Sequence, residues 1–143
     1  MAEFTYNPIQ TAQPNQAAVL NGSIGCPKGY VLHREGSGIV TLRGIVNNPC
    51  AGFARYQVTF NGNIAISEGG TVAPISIALA TEGEAIPTST AIVTPAAVGD
   101  YFNVTSTAII DVPKGCCYPI SVRNTSDQAI DLQNANLVIS RIA

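Results

Sequence analysis

Hydrophobic and polar side chains alternate in the second half of the chain. Residues 102–112 carry mainly apolar side chains at even positions and Asn, Thr and Asp at most odd positions. A period of two predicts a strand with one buried and one solvent-facing side. The turn residues Pro113-Lys114-Gly115 follow, then a second alternating segment, Cys116–Val122, and an apolar run, Ala135–Ile142. Three strands joined by short turns require a second sheet to cover their apolar faces.

The rest of the chain shows similar short segments, separated by Gly, Pro, Asn and Ser. Further strands are predicted at Gln16–Leu20, Tyr30–Glu35, Ile39–Val46, Ala54–Ile66, Val72–Ala80 and Thr90–Val93. The segments flanking Gly36-Ser37-Gly38 are predicted to form a hairpin, and Glu82-Gly83-Glu84 marks the tip of another. No segment has the period of an amphipathic helix. The pattern predicts an all-β domain, a two-sheet antiparallel jelly-roll sandwich of about eight to ten strands.

Residues 1–14 differ from the rest because their apolar side chains show no period. Phe4, Tyr6 and Ile9 stand among Pro, Gln and Asn residues, which is typical of an extended N-terminal arm. Two interpretations remain open: the arm docks on a partner through Phe4, Tyr6 and Ile9, or it folds back on its own domain. The length of 143 residues suits a single domain, which places the jelly roll at 15–143.

Charged side chains are scarce. They make up 11% of the residues, against 46% hydrophobic residues, whereas soluble domains carry roughly 25% charged residues. Either the surface is rich in Thr, Ser, Asn and Gln, or much of it is buried against other subunits. The composition favours a contribution from self-association.

The same composition argues against two classes of partner. The net charge is -2 and the seven Lys and Arg residues are scattered, whereas nucleic-acid binding requires a basic stripe. No segment reaches the roughly 20 apolar residues that span a bilayer, and the first residues do not resemble a signal peptide. We therefore expect no nucleic-acid or membrane partner, and synthesis in a cytoplasm that the product leaves by lysis or inside a particle.

Catalytic motifs are missing from the sequence. His33 is the single histidine, and neither a nucleophile elbow, a zinc-protease motif nor a phosphate loop is present. Paired carboxylates are offered by Glu82 with Glu84 and by Asp100 with Asp111, but the first pair lies at a turn tip where nothing would raise a carboxyl pKa. We expect no enzyme, no cofactor and no metal site.

The four cysteines do not have the spacing of a zinc or redox motif. Cys26 and Cys50 lie in two loops that flank the predicted hairpin. They form a disulfide if the loops meet in an oxidising medium, or stay free thiols in a reducing one. Cys116 is predicted to lie in the core, and Cys117 on a packed outer face.

Several phrases of the sequence resemble a known family. They are Ile77–Pro87, Thr90-Ala91, Asn103-Val104-Thr105, Asp111-Val112-Pro113 and Ser121–Asn124. These phrases look like the tumour-necrosis-factor-like (TNF-like) jelly rolls of bacterial and phage surface proteins, which include the C-terminal domain of the spore exosporium glycoprotein. The likeness extends from about Gln16 onward and consists of strand and turn phrases.

The resemblance implies a jelly roll of about ten strands that forms a homotrimer, with small and apolar residues meeting at the three-fold axis. It brings no catalytic residues. Unlike the exosporium proteins, this sequence has no collagen-like stalk before the domain. The expected function is therefore that of a structural virion protein of a bacteriophage, a capsid decoration or head fibre protein. Its arm would dock on the major capsid protein or another virion protein, and it would be located on the capsid surface.

A second function remains open, in which a trimeric jelly roll recognises host surface carbohydrate as a binding module or adhesin. The candidate contacts are Tyr101, Asn47 and Asn48, in the loops Ala96–Tyr101 and Asn47–Gly52. Against it, the chain has no Trp and only 6% aromatic residues, so that few side chains can stack on a sugar ring.

Overall fold

The computed structural model describes residues 2–24, 30–33, 36–44 and 52–142, apart from the side chains of residues 23 and 24. These residues form antiparallel strands, and within them the only helical segment is a 3-10 turn at Pro87–Ser89. The strands are β1 (Ala2–Tyr6), β2 (Gln10–Ala12), β3 (Gly22–Ile24), β4 (Val31–His33), β5 (Val40–Arg43), β6 (Phe53–Ile66), β7 (Ile75–Thr81), β8 (Glu84–Ala85), β9 (Ala91–Val93), β10 (Phe102–Pro113), β11 (Cys117–Asn124) and β12 (Ile130–Arg141).

The strands pair in two sheets. The first sheet has the order β10-β6-β12-β1-β3, with β2 also paired to β12, and the second has the order β4-β5-β11-β7-β8, with β9 also paired to β7. The long strands alternate between the sheets along the chain, because β6, β10 and β12 lie in the first and β5, β7 and β11 in the second. This exchange is that of a jelly-roll sandwich. The predicted fold class is confirmed.

The core lies between the sheets and follows the period of two. On β6 the even positions from Ala54 to Ile64 are buried, and Tyr56 and Phe60 are among the largest fully buried side chains. The hydroxyl group of Tyr56 donates to the carbonyl oxygen of Arg43 at 2.5 Å. A buried phenol is tolerated here because its polar group has a partner.

The structure differs from the sequence prediction at two of the predicted strands. Residues 16–20 form no strand but a single bridge between Ala17 and Arg123. β12 begins at Ile130, whereas the sequence predicts a start at 135. A β-bulge between Gln133 and Asn136 changes the buried positions from even to odd, which hides the first part of the strand in the sequence pattern. Asn134 takes a φ of 56° at this bulge, a conformation that Asn adopts more readily than most residues. The alternation on the two sides of the bulge is therefore out of phase.

The N-terminal segment folds back on its own domain. β1 lies inside the first sheet, where Phe4 pairs with Leu137 of β12 on one side and Ser23 of β3 on the other. The side chains of Ala2 and Phe4 are buried in the core. Residues 2–6 are therefore a strand of the jelly roll and not a free arm, because their backbone groups and apolar side chains already have partners in this chain.

Candidate functional site

On the outer face of the first sheet, β6 and β10 are uncharged in their middle. Thr, Asn and Gln occupy the outward positions of β6 and β10 there, and cross-strand hydrogen bonds join them in rows that we call the polar ladder. Its contacts are Thr59 Oγ1 with Thr107 Oγ1 at 3.2 Å, Thr105 Oγ1 to Asn61 Oδ1 at 3.1 Å and Asn103 Nδ2 to Asn63 Oδ1 at 3.2 Å. Such pairs stabilise a sheet and keep its register.

One end of this face exposes three large apolar side chains. Phe53, Ile109 and Ile142 are 41%, 56% and 49% exposed. The register places them in three successive outward rows of the sheet, because Phe53 pairs with Pro113, Ile109 pairs with Gln57, and the backbone N–H of Ile142 donates to the carbonyl oxygen of Arg55, between them, at 2.8 Å. We call these three residues the apolar end. Large exposed apolar side chains grouped in this way mark an interaction surface.

A salt bridge lies within the apolar end. Arg55 Nε and Nη2 donate to the two carboxylate oxygens of Asp111 at 2.7 Å and 3.1 Å, and the guanidinium group lies 4.9 Å from the centre of the Phe53 ring. The hydrogen bond from Arg55 lowers the pKa of Asp111, and the same bond raises the pKa of Arg55. Both charges are therefore neutralised inside the chain.

The opposite end of the outer face carries a second group of side chains, which we call the Tyr101 corner. Asp131 on β12 pairs with Ala65 on one side and Thr11 on the other. Asp131 Oδ1 accepts hydrogen bonds from Thr11 Oγ1 at 2.8 Å and from Ser67 Oγ at 2.5 Å. Tyr101 directly precedes β10, and desolvation and the negative charge of Asp131 raise its pKa. The corner therefore combines an aromatic ring, a carboxylate and hydroxyl groups.

The outer face of the second sheet has two shallow depressions that meet at Ile39. One is lined by Leu32, His33 and Thr41, and the other by residues that include Glu82 and Arg123. Arg123 Nη1 donates to the carbonyl oxygen of Asn15 at 2.6 Å, so this side chain holds the segment before β3 against β11. We therefore assign Arg123 a structural role and not a ligand-binding role.

The three predicted docking residues occupy different environments. Phe4 is buried, Tyr6 is partly buried against the core, and Ile9 is 55% exposed. Phe4 cannot contact a partner from this position, which corrects its assignment as a docking residue. Of the three, Ile9 alone is freely accessible.

The cysteine prediction is corrected at one position. Cys116 and Cys117 are both exposed free thiols, although Cys116 was expected in the core. Cys116 belongs to the turn that follows Pro113, where its N–H donates to the carbonyl oxygen of Pro113 at 3.0 Å, and its side chain precedes the alternating part of β11. The predicted disulfide partners Cys26 and Cys50, and the predicted sugar contacts Asn47 and Asn48, lie outside the described residues.

The candidate catalytic groups are not brought together. His33 Nε2 lies 3.0 Å from the carbonyl oxygen of Ser37. Asp100 precedes β10 whereas Asp111 lies near its far end, about 35 Å away at roughly 3.3 Å per residue. Among the described residues, no three His, Cys, Asp or Glu side chains group as metal ligands, and no helix is long and apolar enough to cross a membrane.

Comparison with known proteins supports the fold. No family model and no curated protein matches this sequence. The structure of Eiger TNF from S. frugiperda is similar, with a TM-score of 0.66 at 13% identity over 100% of this chain and 92% of that one. The globular domain of the zebrafish complement 1qA protein has a TM-score of 0.55 at 11% identity, over 96% and 94%. The chain has a TNF-like jelly-roll fold.

This likeness concerns the fold alone, because the identities are too low to carry a function across. The TNF-like fold that the resemblance implied is confirmed, while its phage origin stays a prediction. A sugar-binding protein, the EclA C-terminal domain, is similar with a TM-score of 0.42 at 16% identity, over 94% of this chain and 79% of that one. A TM-score this low does not support any conclusion about the function of this chain.

Sequence reasoning missed the Tyr101 corner almost entirely. The sequence indicates Tyr101 as a candidate sugar contact, but it does not indicate Asp131, Thr11 or Ser67. Asp131 alternates with Ile130 and Leu132, which is the signal of a strand that the bulge then interrupts. Recognising that strand would have placed Asp131 on the outer face.

Proposed function

We propose that this protein is a structural protein that works as a homotrimer and decorates the head of a bacteriophage. The observation that carries the proposal is the outer face of the first sheet, which combines the apolar end with the uncharged polar ladder. The proposed role is structural and not enzymatic.

The apolar end provides the driving force for self-association. Phe53, Ile109 and Ile142 expose side chains whose burial contributes about 25 cal/mol for each Å² removed from water. The low charged fraction of 11% supports the same conclusion, because the surface lacks the charge that keeps monomers apart.

The polar ladder suits a buried interface for a different reason. Its side chains already hydrogen-bond one another across β6 and β10. Burying a polar group without a partner costs roughly 1 to 3 kcal/mol, and groups paired inside one chain largely avoid that cost. The salt bridge between Arg55 and Asp111 is satisfied in the same way. A second copy can therefore cover β6 and β10 from the apolar end as far as the row of Asn61 and Thr105 without providing matching charges.

The proposals of a trimeric state and of a place on a phage particle rest on the resemblance of the sequence to phage and bacterial surface proteins. A trimer suits positions of local three-fold symmetry on an icosahedral shell. Ile9 is the docking contact that we retain from the N-terminal segment, because it is exposed next to the anchored β1 and β2. Its partner is the major capsid protein or another virion protein.

Self-association is tested by measuring the mass of the chain in solution. The wild-type chain is expected at three times its monomer mass, and Ile109→Asp is expected to shift it to the monomer. Ile92→Asp is the matched control, because Ile92 is equally apolar and exposed but lies on β9 of the second sheet. A monomeric wild type, or a trimer that survives Ile109→Asp and Ile142→Asp together, contradicts the proposed surface.

The virion role is tested on particles isolated from the host cell. The chain is expected to co-purify with them in multiples of three copies. Ile9→Asp is expected to lower the number of copies on each particle while the trimer mass stays unchanged. If the chain is absent from particles but remains trimeric, the virion role fails and the self-association surface stands.

A further inference from the structure

The Tyr101 corner combines groups that the structural role does not use. It lies roughly 33 Å from the apolar end, since Arg55 and Ala65 are ten residues apart on β6 at about 3.3 Å per residue. Its features can therefore be considered apart from self-association.

The carboxylate of Asp131 is held in one orientation. Oδ1 accepts from Thr11 Oγ1 at 2.8 Å and from Ser67 Oγ at 2.5 Å, and these donors come from β2 and from the turn after β6. Within the described residues, Oδ2 has no hydrogen-bond partner and is not an enclosed atom. An oriented carboxylate with one free oxygen is an acceptor prepared for a hydroxyl donor, and such charge-assisted bonds are stronger than neutral ones.

Tyr101 lies in the same row of the sheet as this carboxylate, with Ala65 of β6 between them. Phe102 pairs with Ile64, so that Tyr101 continues the row that contains Ala65, Asp131 and Thr11. Tyr101 is 36% exposed. Ala65 points outward in this row but is fully buried, which indicates that larger neighbouring side chains cover it. The ring is therefore partly supported by the protein and partly open to a ligand.

Amide groups extend the same surface. The next row of the sheet contains Asn63, which pairs with Asn103 on one side and Gln133 on the other. Asn103 is exposed. Amides both donate and accept hydrogen bonds, so they suit ligands whose groups also do both.

From these groups we propose that the Tyr101 corner is a binding site for a neutral carbohydrate. The C–H face of a sugar ring packs on Tyr101, adjacent hydroxyl groups donate to Asp131 Oδ2, and Asn103 provides further hydrogen bonds. A neutral sugar fits because its hydroxyl groups supply the donors that a carboxylate lacks. An acidic sugar does not fit, because within the described residues the sole salt bridge is that of Arg55 with Asp111, and no cation offsets the charge of Asp131.

The proposal is tested with a printed array of neutral, sialylated and sulfated oligosaccharides, followed by calorimetric titration of the best neutral one. Tyr101→Ala and Asp131→Asn are each expected to weaken binding by about tenfold or more, which is the loss of roughly 1.4 kcal/mol. Asn at position 131 still accepts from Thr11 and Ser67, so the local fold is kept. Tyr101→Phe retains the ring and is expected to bind within about threefold of the wild type.

Two controls separate this site from the rest of the protein. Asp127→Asn removes an exposed carboxylate in another turn, and Ile109→Asp disrupts the apolar end; both are expected to bind as the wild type does. Circular dichroism of each variant verifies the fold. The proposal is overturned if no neutral oligosaccharide binds, if acidic ones alone bind, or if Tyr101→Ala and Asp131→Asn leave the affinity unchanged.

Discussion

The ring of Phe4 packs against the imidazole of His33, with ring centroids 4.7 Å apart and planes tilted by 52°. Phe4 belongs to β1 in the first sheet and His33 to β4 in the second. The contact therefore joins the two layers of the sandwich through the N-terminal strand. It explains how a segment without a hydrophobic period of its own is held in the domain.

Replacing Phe4 by Ala is expected to destabilise the protein severely. The change leaves a cavity between the sheets and removes the contact with His33, and comparable core truncations cost about 3 to 5 kcal/mol. The free energy of unfolding in urea measures the effect. Ile9→Ala is the control, because its exposed side chain should change that free energy by less than about 0.5 kcal/mol. Equal stabilities for the two variants would show that β1 is not part of the core.

Asn124→Asp is expected to make stability depend on pH. Asn124 is buried, and its Nδ2 group donates to the carbonyl oxygens of Ala12 at 3.0 Å and Gln128 at 2.8 Å. One oxygen of a carboxylate there would face these two acceptors, while the other would keep the N–H donor of Ser126, so burial and the two acceptors raise the pKa of the new Asp in the folded state. Its neutral form is therefore tolerated near or below pH 4, the ordinary range of an Asp pKa, and stability relative to wild type falls as pH rises through the raised pKa.

At pH 7 the loss is expected to reach about 1 to 3 kcal/mol, because one oxygen of the buried carboxylate would face two carbonyl oxygens and have no donor, although Ser126 still donates to the other oxygen. Urea unfolding at pH 4 and pH 7 measures it. Asn7→Asp, at an exposed position, should show no such dependence. A pH-independent loss at position 124 would mean that the carboxylate finds other donors.

Arg55→Gln is expected to raise the pKa of Asp111 towards that of an ordinary Asp. The lowered pKa depends chiefly on the hydrogen bond from Arg55. A depressed pKa means that the pair stabilises the fold above the pKa of an unfolded Asp, and that this contribution is lost as pH falls through the folded pKa. NMR titration of the Asp111 carboxyl measures the shift, with Arg123→Gln as the control on the other sheet. Because both side chains are well exposed, salt should weaken the interaction.

Both Cys116 and Cys117 are expected to react with iodoacetamide in the folded protein, because both thiols are exposed. Mass spectrometry of peptides after a short exposure measures the modification at each position. Cys116→Ser and Cys117→Ser should each remove one rapidly modified group without changing the fold. Slow modification of Cys116 under native conditions, with rapid modification after unfolding, would restore the interpretation of Cys116 as a buried residue.

Sequence patterns predicted the long strands in which buried and exposed positions alternate without interruption. β6 and β10 follow one uninterrupted parity, and the structure places them within one residue of the predicted bounds. The start of β12 was not predicted because Asn134 shifts the parity in mid-strand. β1 was not predicted because its five residues are too few to show a period, and its partner strands are distant in sequence.

The candidate site was less predictable for a related reason. The register of three strands brings Ile109, Ile142 and Phe53 to the same end of the sheet, and Thr11 meets Asp131 across 120 residues. Alternation tells which face a side chain occupies, but it does not tell which strands are neighbours. The outward residues could therefore be predicted as exposed, whereas their grouping into two ends of one face required the topology.

The pairing of Ala2 with Ile139 has a consequence for the speed of folding. The central strands of the first sheet come from opposite ends of the described chain, so a loop of nearly the whole domain must close before they meet. Closing such a loop costs entropy before any contact repays it, and domains dominated by distant pairings fold in milliseconds to seconds. During that interval β12 exposes an unpaired edge, which makes slow refolding at high concentration the condition under which this protein should aggregate.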